Sequence, residues 1–168
     1  PLNKKIKVSF KLKNKLSTNK NLGIGLISNN SKKTKFLPSI IENNELYSYS
    51  DELGSFFITS DNDKPTIKPL NFKNGDWVSK KKYLKLEIND LTSGIKKYDG
   101  NINGKWILLE YDPKKKLIIY DLEDLKYDSY KLNLIVNVED FANNKSIYKA
   151  QIYRDTGVSE KDLSTSTK

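Results

Sequence analysis

Lys5-Ile6-Lys7-Val8-Ser9-Phe10-Lys11-Leu12-Lys13 alternates apolar and polar residues without a break, which is the period of a strand with one buried and one wet face. Leu22, Ile24 and Leu26 repeat the pattern with Gly23 and Gly25 on the other face. Leu84, Leu86 and Ile88 do so against Lys85 and Glu87, as do Leu132, Leu134, Val136 and Val138 farther on. Shorter strands are expected around Lys35-Phe36-Leu37, Leu46-Tyr47-Ser48, Ser55 to Thr59, Thr66 to Leu70, Ile95 to Tyr98, Leu117 to Tyr120 and Ile147 to Tyr153.

Turn chemistry separates these runs. Asn103-Gly104 between apolar stretches predicts a tight hairpin, with Trp106 to Tyr111 as its return strand and Asp112-Pro113-Lys114-Lys115 as the next turn. Asn74-Gly75 and Asp140 to Lys145 are further turns. No window of eleven or more residues shows apolar spacing at three and four, so helix is expected to be negligible. Short strands at close intervals predict an all-β chain built as two immunoglobulin-like β-sandwich modules in tandem. Ser60-Asp61-Asn62-Asp63-Lys64-Pro65 is dense in turn formers and marks the boundary. The expected modules are residues 1–62 and 63–155, and the polar stretch 156–168 reads as a linker or frayed tail. A strong strand so close to Pro1 also suggests strands upstream, which would leave Ile6 to Leu12 at a sheet edge guarded by its lysines.

Composition narrows the chemistry. The 168 residues contain no His and no Cys, which excludes Ser-His-Asp, Cys-His and two-His metalloprotease machinery and any disulfide. Apolar residues make up 36%, and no run approaches the roughly 18 to 20 needed for a membrane span. The first residues, Pro1-Leu2-Asn3-Lys4-Lys5, hold no apolar segment that could serve as a signal peptide, and Met is absent. The chain is therefore expected to be an interior or processed piece of a longer product. Its net charge of +9 would favour polyanions. The lysines are spread over strand faces and turns (Lys5, Lys7, Lys11 and Lys13, then Lys80 to Lys82 and Lys114 to Lys116), and Arg154 is the sole arginine. That pattern argues against nucleic acid as a partner.

The order Gly54-Ser55-Phe56, Asp61 to Ile67, Asp90 to Ile95, Asn103-Gly104-Lys105-Trp106 and Glu110-Tyr111-Asp112 resembles the C-terminal region of lysostaphin-type zinc metallopeptidases of the bacterial envelope. In those proteins a peptidoglycan-cutting domain precedes Ig-like modules. The resemblance covers residues 45–154 and, more loosely, the first forty. Val138-Glu139-Asp140-Phe141-Ala142-Asn143-Asn144 resembles a turn of bacterial Ig-like repeats, with Asn143 where Gly is usual; Asn tolerates a left-handed backbone. The family's zinc ligands lie in the peptidase domain, so the resemblance implies no catalytic residue here. It implies an accessory module, periplasmic or extracellular, that spaces or docks a neighbouring domain.

Three sets of side chains are candidate sites. Trp77, beside the Asn74-Gly75 turn, is the expected exposed aromatic. Tyr98, Trp106 and Tyr111 could form a platform for a sugar or peptide, although a Trp in a sandwich more often lies in the core, the expected place for Trp106. Asp61, Asp63, Asp90 and Asp140 stand at strand ends, where an oxygen-only calcium site could be assembled; Asp is also a common turn residue for its own backbone hydrogen bonds. Carboxylate pairs such as Glu110 with Asp112, or Asp121 with Glu123 and Asp124, match no evident cleft. The sequence therefore predicts a non-enzymatic spacer or docking module without cofactor, its partners being neighbouring domains of the same polypeptide and possible envelope proteins. The alternative is a binder of peptidoglycan or another envelope glycan or peptide through Trp77 and the lysines.

Overall fold

The computed structural model describes residues 4–13, 21–28, 34–124, 126 and 129–155; the expected tail, 156–168, lies outside them. Every regular element among the described residues is a strand, so the chain is all-β. Among those residues no helix is long and apolar enough to cross a membrane. The described residues divide into two compact units, one within 4–66, 89–97 and 138–146, the other within 67–88, 98–137 and 147–155.

The first unit holds β1 (Ile6–Lys11), β2 (Leu22–Ser28), β3 (Thr34–Leu37), β4 (Ile40–Glu42), β5 (Glu45–Ser50) and β6 (Gly54–Ser60). They form two antiparallel sheets, β1-β5-β4 and β3-β2-β6. Leu12, Leu22, Ile24, Leu26, Leu37 and Leu46 are the buried centre, and Val8, Phe10, Ile41, Phe56 and Ile58 pack against it half-buried. Both sheets contribute, so they face each other across one core. β4 was not expected from the sequence; it pairs with β5 through Asn43 and Asn44, whose φ values of 50° and 58° suit a two-residue hairpin turn.

β2 is buried on both faces from Leu22 to Leu26. Its outer face is Gly23 and Gly25, and the rings of Phe36 and Phe57 lie over them. A Cβ at Gly23 would sit 2.2 Å from the Phe36 ring, and one at Gly25 would sit 2.4 Å from the Phe57 ring. The two glycines thus let aromatic rings close on a strand that would otherwise have one wet face.

The remaining strands are β7 (Thr66–Pro69), β8 (Tyr83–Asn89), β9 (Ile95–Ile102), β10 (Lys105–Ile107), β11 (Glu110–Asp112), β12 (Leu117–Asp121), β13 (Lys131–Asp140) and β14 (Lys145–Tyr153). Their sheets are β11-β12-β8-β7 and β10-β9-β13-β14. In immunoglobulin lettering these orders are D-E-B-A and C′-C-F-G. Leu84, Leu86, Ile118 and Tyr120 of the first sheet and Ile102, Leu132, Leu134, Val136 and Ile152 of the second are buried, so each sheet buries one face, as in a sandwich. Under the same lettering β1 to β6 are B, C, C′, D, E and F, and no described strand stands as A beside β1 or as G beside β6.

The Asn103-Gly104 turn forms as expected, with φ values of 50° and 79°. Asn143 takes the left-handed backbone at φ 68° where the related turn has Gly. Two expectations need correction. Trp106 to Tyr111 is not one strand, because Lys105–Ile107 pairs with β9 and Glu110–Asp112 pairs with β12 in the other sheet. The chain changes sheets at Leu108-Leu109. Trp106 is also not in the core: it is 65% exposed. Ile107 and Leu109 take the inward positions, and the alternation of a strand then turns Trp106 and Leu108 outward.

Candidate functional site

Trp77 is 59% exposed, as its place beside a turn predicts. Its backbone is held firmly. Lys73 N–H donates to Asp76 Oδ2 at 3.1 Å and Asp76 N–H to the Lys73 carbonyl at 3.2 Å, closing the Asn74-Gly75 turn. Gly75, at φ 89°, donates to the Gln151 carbonyl at 2.7 Å. Tyr153 N–H then donates to Asp76 and Val78 N–H to Tyr153, so residues 76–78 run alongside the end of β14.

This pairing brings Tyr153 to Trp77, their ring centroids 5.4 Å apart. Tyr130 joins them at 6.5 Å from Trp77 and 6.2 Å from Tyr153, with interplanar angles of 10° and 19°. Arg154 N–H donates to the Tyr130 carbonyl at 2.9 Å, fixing that residue to the strand end. The Trp77–Tyr153 planes lie at 29°, so the three rings stack as one aromatic cluster in which Tyr130 is as exposed as Trp77 and Tyr153 is half-buried. A cleft of about 540 Å³ adjoins Trp77 and is lined also by Ser79, Lys80, Lys81 and Asp155. An aromatic surface beside two lysines, set against the single carboxylate of Asp155, suits a ligand with an apolar ring face and carboxylates.

The second expected aromatic set is only partly assembled. Tyr98 and Tyr111 meet at 5.3 Å, both half-buried. Burial, followed by the neighbouring Tyr98 and Asp112, pushes the Tyr111 hydroxyl above its ordinary pKa. Trp106 forms no ring pair with them among the described residues.

Of the four aspartates proposed for calcium, three converge. Ligand oxygens of Asp61, Asp90 and Asp140 lie within 4.8 Å of one another, about twice a calcium–oxygen bond. Asp61 and Asp140 are buried, whereas Asp63 is exposed and enters only by donating its N–H to Asp61 Oδ1 at 3.0 Å. Asp61 Oδ2 accepts Ser93 N–H at 3.0 Å. Asp90 Oδ1 accepts the N–H groups of Thr92, Ser93 and Gly94. Asp140 accepts Asn144 N–H and its side-chain amide, both at 2.8 Å. The turn role of aspartate is thus fulfilled at each position, and the cluster of negative charge exists beside it. Burial raises the Asp140 pKa, and Asp90 and Asp61 add to the rise against the lowering effect of Asn144. Such a cluster could hold a hard cation through oxygen ligands, with charge neutralisation as its chemistry.

One member of each carboxylate set, Asp112 and Asp121, caps a turn. Asp112 Oδ1 accepts the N–H groups of Lys114 and Lys115 at 3.0 and 3.1 Å, and Asp121 Oδ1 accepts that of Glu123 at 2.9 Å.

No family model matches the chain, and no curated protein matches it. Among solved structures, the endo-beta-1,4-mannanase from Thermotoga petrophila is similar over 56% of this chain, at 13% identity and a TM-score of 0.44. The chain spans 21% of that enzyme's length. The fibronectin(III)-like modules of Clostridium thermocellum CbhA are similar over 95% of this chain and 90% of theirs, at 12% identity and a TM-score of 0.41.

Proposed function

We propose that this chain is a non-catalytic accessory segment of a larger bacterial envelope protein, and that the Trp77, Tyr130 and Tyr153 cluster docks it on a peptidoglycan strand or another envelope glycan or peptide. The observation that carries the reading is the stacked ring cluster, with Trp77 and Tyr130 exposed, beside Lys80 and Lys81. Sugar rings present C–H faces that pack on aromatic rings, and the free carboxylates of the stem peptides complement the ammonium groups. The sequence resemblance supplies the parent, a peptidoglycan metallopeptidase. In that setting a tandem of immunoglobulin-like modules spaces the catalytic domain from the wall and holds it there, outside the cytoplasm. The absence of His and Cys agrees with chemistry residing elsewhere.

The chain incubated with purified insoluble peptidoglycan tests this. Retention in the pellet, with no soluble fragments released when zinc is supplied in excess, is expected. A chain left wholly in the supernatant would refute docking and leave a passive spacer. Release of fragments that persists on repurification and is lost on Glu110→Gln would refute the non-catalytic assignment.

A further inference from the structure

Among the described residues β6 is a terminal strand of its sheet, and it differs from the other terminal strands described. β1 carries Lys7 and Lys11, β3 Lys35, β4 Glu42, β7 Lys68 and Pro69, β10 Lys105, β11 Glu110 and Asp112, and β14 Lys145 and Lys149. Charges and proline at an edge oppose pairing with another chain. β6, Gly54-Ser55-Phe56-Phe57-Ile58-Thr59-Ser60, carries neither. In the lettering above it is strand F with no described strand in the G position, the place β14 fills beside β13. Phe56 and Ile58, which would lie beneath a G strand, are only half-buried.

The register shows which groups face the open side. Asp61 N–H donates to the Asn21 carbonyl, continuing the ladder in which Leu22 faces Ser60. Hydrogen-bonded and non-bonded pairs alternate in an antiparallel ladder, so Phe57 and Thr59 bond to β2 while Phe56 and Ile58 direct N–H and C=O outward. We infer that β6 is a self-association edge, pairing antiparallel with β6 of a second copy about a two-fold axis at Phe57. In that register Phe56 and Ile58 of one copy exchange backbone hydrogen bonds with Ile58 and Phe56 of the other. Their side chains meet on the core face. On the outer face Phe57 meets Phe57, and Ser55 meets Thr59. Lack of charge matters most for two identical chains of net charge +9: β1 paired with itself about Ser9 would set Lys7 against Lys11, whereas β6 sets no like charges together.

Sedimentation equilibrium on the full chain tests the inference. The wild type is expected to shift from monomer to dimer as concentration rises. Ser55→Lys with Thr59→Lys puts lysines opposite each other and is expected to weaken dimerisation about tenfold or more. Ser55→Glu with Thr59→Lys puts opposite charges in those places and is expected to keep it. Thermal melts establish that both variants fold. A wild type that stays monomeric, a double-lysine variant that dimerises like the wild type, or a folded Glu/Lys variant as weak as the double-lysine variant would each overturn the proposed edge or its register.

Discussion

Replacing Gly25 by Ala probes why β2 is buried on both faces. The added Cβ would lie 2.4 Å from the Phe57 ring, about 1 Å inside ordinary carbon–carbon contact. Phe57 is at the far end of a rotatable side chain, so the ring swings away and its half-burial is lost. Burying a whole Phe is worth about 1.5–3 kcal/mol, so half of that is about 1 kcal/mol. Residual crowding adds to this, since overpacking costs about 1–3 kcal/mol. Against it stands the lower chain entropy of Ala in the unfolded state, about 0.5–1 kcal/mol. The expected net loss is roughly 1–3.5 kcal/mol. The diagnostic is a change of sign. With Phe57→Ala already in place the three atoms nearest the Cβ are gone, and Gly25→Ala is then expected to stabilise by a few tenths to about 1 kcal/mol. Urea melts followed by far-ultraviolet circular dichroism on the four members of this cycle measure both steps; Trp77 and Trp106 belong to the second unit, so tryptophan fluorescence monitors that unit separately. Equal destabilisation in both backgrounds would show that the ring over Gly25 is not the cause.

Replacing Lys7 by Thr and Lys11 by Val, on terminal β1, is expected to raise aggregation in light scattering more than the same changes at Lys114 and Lys115, which follow β11 in a turn. Equal effects would mean that β1 is paired on both sides. Asp140 has its pKa raised on folding, so its contribution is fully present below the ordinary aspartate pKa, near 3.9, and is lost as pH rises through the raised value. The melting temperature of the wild type relative to Asp140→Asn should therefore fall as pH climbs from about 3.9; a difference constant with pH would refute the shift. Glu139 has the opposite sign, since hydrogen bonding to Lys96 lowers its pKa, and its contribution is lost on acidification below the ordinary glutamate value. Millimolar calcium is expected to raise the melting temperature at neutral pH, and Asp61→Asn combined with Asp140→Asn to abolish the rise; no rise in the wild type would leave the three aspartates as turn residues alone.

Strands were legible where alternation is long and strict, as in β1, β8 and β13, because each buries one face against a core. β4 was not, since Ile40-Ile41-Glu42 is too short to show a period and its evidence lies in the two asparagines that follow. Trp106 departs from the usual core place of a sandwich Trp because position in the strand outweighs residue type: Ile107 and Leu109 claim the inward sites. Trp77 could be read as exposed from the turn beside it. Its partners Tyr130 and Tyr153 could not, because only the pairing of residues 76–78 with β14 brings them together. The same holds for the aspartates. Their turn propensity is local and visible, but the convergence of Asp61, Asp90 and Asp140 and the exclusion of Asp63 depend on how distant turns pack.

The most direct test of docking compares three chains in co-sedimentation with purified peptidoglycan: the wild type, Trp77→Ala with Tyr130→Ala, and Trp106→Ala. Trp106 is as exposed as Trp77 and Tyr130 but joins no ring pair among the described residues, so it controls for the loss of a surface tryptophan. The wild type and Trp106→Ala are expected to be retained alike, and Trp77→Ala with Tyr130→Ala, folded by circular dichroism, to stay in solution. Retention of that double variant at the wild-type level would contradict docking through the cluster.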